Sequence, residues 1–414
     1  MNDPELQNLI EAENQHYLNT IDLIGASNAP TSFIRGNSDW GVAQFRSAEG
    51  YAGKRPYAGT SIFDEIELLA AQRGCDAFHA EHCNVQPASG SLANLSVYKS
   101  MLRPGDTILS MEMKSGGHLS HGHKSHIIRD LYQIVEYQVD PNTYLLDYSD
   151  ILKIARSCKP TLIIAGSSTY TRTIDFSIFK AIGDEVGAKV MADISHTSGL
   201  VATGNHPNPC DSGLIVTSSI EKTLRGTRGG FILSPKELAQ KIDHGVFPGV
   251  QSSVGLDGIV AKAKLFLEVQ SPEFHEYIQK VIHFANLMVT VFFQNHLAVL
   301  YGGTDTHLII LDMRPQGLTG REAEKRLEDI GILSNRNVIP FDSLPPFESS
   351  GLRLGTSAIT ARGYEEDEII QVAEWVSAAL KSTEWHGKLE KELQQKVSRM
   401  VARRRESDSL NDLL

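Results

Sequence analysis

Between about residues 61 and 193 the hydrophobic positions change period again and again. Short continuous apolar runs alternate with stretches in which apolar residues recur every three or four positions. That alternation predicts strands followed by helices, and so an α/β domain built around a mostly parallel sheet. One unit shows it cleanly: residues 161–164 (Thr-Leu-Ile-Ile) form an apolar run, residues 176–186 set Phe179, Ile182 and Val186 on one helical face, and residues 189–191 (Lys-Val-Met) start the next strand. Further strands are expected at 214–216 and 231–233. After Phe247-Pro248-Gly249 the period becomes helical over 259–269 and 273–293, segments long enough to bridge two domains. A smaller α+β unit is expected over about 298–382, then a charged helical tail, 384–414, with Arg403-Arg404-Arg405 on a solvated face. The expected organisation is an N-terminal arm or helix (1–40), a large domain (41–285) and a small C-terminal domain with the charged helical tail (286–414).

Composition narrows the function. A formal charge of -11 argues against a nucleic-acid partner, which needs a basic surface, and 41% hydrophobic residues exclude wholesale disorder. Cys75, Cys83, Cys158 and Cys210 are widely spaced without a CxxC pair, as expected of reduced thiols in a cytoplasmic protein. The start, Met-Asn-Asp-Pro-Glu, lacks the basic and apolar stretches of a signal peptide, and no apolar run is long enough to span a bilayer. A cytoplasmic enzyme without membrane contact is expected.

In open α/β sheets, ligands sit beyond the carboxyl ends of strands. Three candidate positions follow predicted strands: Ser168, then Asp193 with His196, then Lys222 within the hydroxyl- and glycine-rich segment 216–230. A lysine amine attacks an aldehyde when its surroundings lower its pKa, and hydroxyls, glycines and arginines suit a phosphate-bearing aldehyde; pyridoxal 5'-phosphate is the candidate. A carboxylate beside the pyridine nitrogen keeps that ring an electron sink, the role read for Asp193, against helix capping as the alternative. Ser89-Gly90-Ser91 opens a helix with Leu95, Tyr98 and Leu102, where free N–H groups suit a phosphate and plain serine capping is the rival. His118, His121, His123 and His126 crowd one run; without a carboxylate or cysteine in it no metal is expected, and His118 serves as a flat ring against the pyridine. The loop at 49–57 offers Glu49 for acid/base work and Tyr57 for a substrate carboxylate, and Arg353 presents a planar fork suited to the same carboxylate.

With these segments in order, the chain resembles the serine hydroxymethyltransferase family, pyridoxal phosphate enzymes of fold type I, from about residue 23 to 379. Asn84-Val85-Gln86-Pro87, Gly116-Gly117-His118-Leu119, Gly302-Gly303-Thr304-Asp305 and Leu318-Thr319-Gly320 carry the likeness. The resemblance implies that Lys222 forms the internal aldimine, Asp193 pairs with the ring nitrogen, His118 stacks on the ring, and Ser168 and His196 contact its hydroxyl. It gives Ser89, Gly90 and Ser91 to the phosphate, Arg353 and Tyr57 to the substrate carboxylate, and Glu49 to the hydroxyl whose proton moves. Asn337 and Phe247 would border a tetrahydrofolate co-substrate. Glu49 and Tyr57 would come from a neighbouring subunit, making a homodimer with shared active sites, and Ser253 would belong to the phosphate site shared between subunits.

Departures are visible too. Glu221 stands where the family has histidine before the lysine, placing a candidate catalytic carboxylate there; Thr227 replaces proline, Ser47 and Pro56 replace tyrosines, Ala26-Ser27-Asn28 stands for Ser-Glu-Asn, and Ser252-Ser253-Val254 for Gly-Gly-Pro. The expected reaction makes or breaks the Cα–Cβ bond of a β-hydroxy amino acid, serine/glycine or α-methylserine/alanine, with the hydroxymethyl carbon carried by tetrahydrofolate. A folate-independent threonine transaldolase or aldolase is the alternative. A non-catalytic binding or regulatory descendant fits less well, because it has no need to keep Lys222, Asp193, His118 and Arg353 together.

Overall fold

A computed structural model describes residues 3–35 and 45–406 as two compact units, 30–279 and 1–29 with 280–414. Residues 1–2 and 36–40 of the expected N-terminal segment, 41–44 of the expected large domain and 407–414 of the tail lie outside the described residues.

The larger unit is built on seven strands: β1 (His82–Asn84), β2 (Thr107–Met111), β3 (Gln133–Tyr137), β4 (Leu162–Gly166), β5 (Lys189–Asp193), β6 (Ile215–Ser219) and β7 (Gly230–Ser234). Their spatial order is β1-β7-β6-β5-β4-β2-β3. The ladders from β6 to β3 are parallel, and β7 runs antiparallel to both β6 and β1. Strands β4, β6 and β7 are buried along their whole length, so β4 and β7 read as apolar runs rather than alternating ones, while β6 starts apolar at Ile215-Val216 and buries Thr217, Ser218 and Ser219 toward its end. Helix Gly90–Met101 lays Ala93, Val97 and Tyr98 on one sheet face against Ile108, Ile164, Met191 and Ile232.

Local chemistry sets the element ends. Asp175 caps helix Phe176–Val186 by accepting from the Ser177 and Ile178 N–H groups, and Gly187 ends it at φ 76, a left-handed turn that glycine adopts without strain. The expected strands and helices between 161 and 293 all form, within about four residues at either end. The alternation fails just inside the edge strand β1, where β7 follows β6 without a crossover helix and pairs antiparallel with both neighbours.

The second unit holds a four-stranded antiparallel sheet ordered Asn335–Asn337, Gly351–Gly355, Leu308–Asp312, Ala298–Val299. Residues 1–29 belong to this unit: helix Pro4–Leu18 leads into Ile21–Asp22, which pairs in parallel with Ile332–Leu333. Helix Pro272–Gln294 contains the division between the units. The solvated face expected of the tail needs correction. Helix Lys388–Glu406 buries Leu393, Val397, Met400 and Val401, spaced along one stripe, and Arg404 donates to Glu368 and to the Arg362 carbonyl, both at 3.0 Å. Only its outer face is the solvated one the charges suggested.

Candidate active site

The parallel strands end at one edge of the sheet and deliver the chemistry there: His118 follows β2, Ser168 follows β4, Asp193 closes β5 and Lys222 follows β6. The start of β7 and the segment after β1 reach the same edge, since Gly230 pairs with Ser219 and Asn84 with Ile232. Close approach at this edge requires missing side chains. A Cβ on Gly166 would lie 2.4 Å from the Asp193 carbonyl, and one on Gly117 2.2 Å from that of Met111. Gly116, at φ 122, accepts at its carbonyl from Ser168 N and Ser167 Oγ, both at 2.7 Å, which fixes the His118 loop to the end of β4.

Asp193 is the centre of the buried network. Its Oδ1 accepts from Ser195 N at 3.0 Å and Ser195 Oγ at 2.6 Å, and its Oδ2 accepts from Asn94 Nδ2 at 2.8 Å, with His121 Nε2 at 2.9 Å. Burial by itself would raise this carboxyl's pKa. The hydrogen bond and charge from His121 and the Asn94 amide outweigh it, so the carboxylate stays ionised far below its ordinary range. His118 Nδ1 accepts from Ser120 N at 3.2 Å; burial and the neighbouring His121 push its pKa down to about 4, leaving a neutral flat ring at pH 7.

The helix start has the form a phosphate needs. Ser89 Oγ accepts from Leu92 N and its carbonyl from Ala93 N, while Gly90 and Ser91 contribute the first two helical N–H groups, which have no partner within a helix. A Cβ on Gly90 would come within 3.1 Å of Ser219, whose own N–H donates to Ser195 Oγ at 2.9 Å. Ser89 is thus a cap, as the rival reading held, and the two N–H groups beside it are left for a ligand.

Lys222 is half-buried in the turn after β6. Thr223 Oγ1 donates to the His196 carbonyl at 3.0 Å and accepts from Gly199 N at 3.0 Å, tying the lysine turn to the segment after β5. Glu221 turns back along its own loop, Oε2 accepting from Ile220 N at 3.2 Å and Oε1 lying 3.8 Å from the exposed Arg228 guanidinium.

Glu49 and Tyr57 sit on a separate loop. Tyr57 donates to Glu49 Oε2 at 3.4 Å. The loop's shape comes from Arg55, whose side chain is 0% exposed and pairs with Asp64 at 2.7 Å, with Glu67, and with the Ala48 and Gly50 carbonyls. Gln86 braces the same place, donating to Glu67 at 2.7 Å and to the Gly50 carbonyl at 3.0 Å. Phe247 meets Tyr51 edge-on at 6.3 Å. A cavity of ≈ 670 Å³ is lined by Tyr51, Glu67 and Phe247 and by none of Lys222, Asp193 or His118. Ser253 is exposed, and no described hydrogen bond joins it to the helix start.

Arg353 and Asn337 belong to the other unit. Arg353 Nε donates to Asn335 Oδ1 at 3.0 Å, and burial lowers its pKa to about 10, so it remains cationic at neutral pH. Gly25 leaves room beside it, since a Cβ there would stand 3.4 Å from Nε. Asn337 Nδ2 donates to the Val338 carbonyl at 2.5 Å.

Asn94, His121, Ser195, Arg55 and Gln86 escaped the sequence reading. Two signals were available: His121 lies one turn beyond His118, and Asn94 one turn into the helix that Ser89 caps. The histidine run forms no metal cluster among the described residues; the group with that capability is Asp329, His386 and Glu390, in the other unit.

The donor set fits pyridoxal phosphate. Asp193 is held as an acceptor for a ring N–H, the helix start offers N–H groups to phosphate, and Asn94 Oδ1 and Ser219 Oγ are buried without a protein partner at the same sheet edge. A family model described as serine hydroxymethyltransferase matches residues 1–376. A protein of Methanospirillum hungatei JF-1 with that name is 42% identical over 400 residues, 97% of this chain and 96% of that protein. A serine hydroxymethyltransferase of Coprothermobacter proteolyticus is 45% identical over 375 residues, 91% of this chain and 90% of its own length.

Proposed function

The chain belongs to the serine hydroxymethyltransferase family of pyridoxal-phosphate-dependent transferases, and from that premise we propose that it moves the hydroxymethyl carbon of serine to tetrahydrofolate, leaving glycine. The observation that carries this reading is the arrival of Lys222, Asp193, His118 and the Gly90–Ser91 N–H groups at one edge of one sheet. Pyridoxal phosphate supplies an aldehyde that condenses with amines and a ring that takes up the electron pair of a bond broken at the α-carbon.

Each side chain has a task set by its surroundings. Lys222 holds the cofactor between turnovers. Asp193, kept ionised by its donors, holds the proton on the ring nitrogen, and His118, being neutral, lies against the ring without adding charge. Ser89, Gly90 and Ser91 bind the phosphate, and Ser168 and His196 meet the ring hydroxyl. Arg353 takes the substrate carboxylate as a fork, helped by Tyr57, and Glu49 accepts or returns the proton of the β-hydroxyl. Asn337 and Phe247 border the folate, and Ser253 joins a phosphate site shared between subunits. The active unit in this reading is a homodimer, with Glu49 and Tyr57 offered to the partner; exposed Ile62, Leu68 and Leu69 on the following helix supply apolar surface for such a contact. A cytoplasmic location belongs to the same reading, supported by four free thiols.

Full-length identity to two proteins named for hydroxymethyl transfer favours that reaction over transaldol chemistry. Purified protein given pyridoxal phosphate should show a visible cofactor band that Lys222→Ala abolishes, and should form glycine from L-serine only when tetrahydrofolate is present. Glycine release from L-threonine with aldehyde exchange, indifferent to folate, would replace this reading with the transaldolase.

A further inference from the structure

One buried cation of the large unit has no part in the chemistry above. Lys262, on helix Leu256–Glu268, is 3% exposed, and among the described residues it forms no ion pair. Its Nζ instead donates to the Val85 carbonyl at 2.6 Å and the Pro87 carbonyl at 2.9 Å. Gln251 completes the arrangement, donating to the Gln86 carbonyl at 2.8 Å and accepting from Ala88 N at 3.3 Å. Three successive carbonyls between β1 and the Ser89 cap are therefore held by side chains reaching in from elsewhere in the unit. Gly229 is part of the fit, because a Cβ there would stand 3.0 Å from the Lys262 stem.

An ammonium taken out of water is costly, and a methionine would fill the same space without that cost. Burial does weigh on Lys262, lowering its pKa to about 8 against the opposing pull of Cys83 on β1, Glu67 on helix Ser61–Phe78 and Asp257 on its own helix. What the amine provides, and an apolar residue cannot, is two charged hydrogen bonds to the backbone that leads into Ser89, Gly90 and Ser91. Its charge also stands behind the positive end of that helix, where an anion gains most.

We propose that Lys262, seconded by Gln251, is a positioning residue for the cofactor's phosphate: it locks the 85–87 backbone so that the Gly90 and Ser91 N–H groups converge on the phosphate. The proposal rests on the reading that this helix start holds the phosphate. It predicts an effect confined to that group. Lys262→Met should weaken pyridoxal phosphate binding about tenfold or more, followed by the visible band, while binding of phosphate-free pyridoxal to the same protein changes by no more than about twofold.

A purely structural lysine would move both affinities together, so equal losses, or unchanged phosphate-ester binding, overturn the proposal. Should Lys262→Met fail to fold, Gln251→Leu carries the test, with about threefold loss for pyridoxal phosphate and none for pyridoxal. Wild-type protein that shows no preference for the phosphate ester overturns the underlying reading together with the clamp. A wild-type preference that survives in the variants overturns the clamp alone.

Discussion

Asp193 and Glu49 are both carboxylates assigned to one reaction, yet the large unit holds them by opposite means. Asp193 ends a fully paired central strand, and four donors from three other segments converge on it. Glu49 has Tyr57 at 3.4 Å and stands on a loop whose form depends on one buried arginine. The sheet edge therefore behaves as a rigid cradle, and the loop as an adjustable part set by a single charge. A group that must keep one protonation state through the cycle belongs in the first kind of place. A group that must take a proton and give it back, and that is offered to a partner subunit, belongs in the second.

The sharpest way to break that comparison is to remove the arginine. Arg55→Met would leave Glu67 buried without its cation, a change that costs about 3–5 kcal/mol in comparable sites. Urea unfolding should report that loss, and the double variant Arg55→Met/Glu67→Leu should recover much of it, because the stranded charge is gone. If the loop alone depends on Arg55, the double variant keeps its visible cofactor band while serine cleavage falls. A double variant with normal cleavage would show that the loop holds its form without the charge.

Asp193→Asn tests the cradle. An asparagine fills the same volume but cannot hold a proton on the ring nitrogen, so turnover should drop about a hundredfold or more while the protein stays folded. The stability consequence has a definite sign. The folded-state pKa is depressed, so the ionised carboxylate stabilises the protein above the unfolded carboxyl's pKa of about 3.9, and that contribution fades as pH falls below it. Wild type should therefore lose urea resistance between pH 5 and pH 3 more steeply than Asp193→Asn. Parallel acid slopes would mean that Asp193 is not held ionised as the geometry requires.

Lys262 gives a smaller effect with the same sign of slope but in alkaline solution, where its burial is a cost that falls away as the amine deprotonates. Its folded pKa of about 8 lies below the unfolded lysine value near 10.4, so the unfolded chain binds the extra proton and stability rises with pH between the two. Relative to Lys262→Met, wild type should gain at most about 1.4 kcal/mol per pH unit across that window. A flat difference from pH 8 to pH 10 would show that the amine is solvated and the clamp loose.

What the sequence revealed, and what it hid, follows the same division. Strand-end residues were legible because a buried parallel strand is an unbroken apolar run, so the position after it is easy to find; Ser168, Asp193 and Lys222 were located that way. The residues that hold them were not, because Asn94, His121 and Ser195 meet Asp193 from three separate elements and share no period or motif with it. Arg55 and Lys262 were harder still, since an isolated Arg or Lys in a sequence reads as a surface charge. The tail misled for a related reason: charge dominates residues 384–414, while Leu393, Val397, Met400 and Val401, which decide its packing, are a minority. The antiparallel β7 was hidden because an apolar run does not record its direction.

Glu221 carries the smallest expected effect and the most direct challenge to a reading made from sequence. Standing beside Lys222, where the family resemblance leads to an expectation of histidine, it invited a catalytic role. Its carboxylate is instead engaged by its own loop, accepting from Ile220 N and lying 3.8 Å from an exposed arginine, an arrangement that contributes only tenths of a kcal/mol to about 1 kcal/mol. Glu221→Gln keeps the backbone hydrogen bond and deletes the charge. Stability should change by less than about 0.5 kcal/mol, and serine turnover by no more than about fivefold, with the pH profile kept in shape. A profile that loses one limb in Glu221→Gln would place the carboxylate in the proton path and move it from the adjustable surroundings into the cradle.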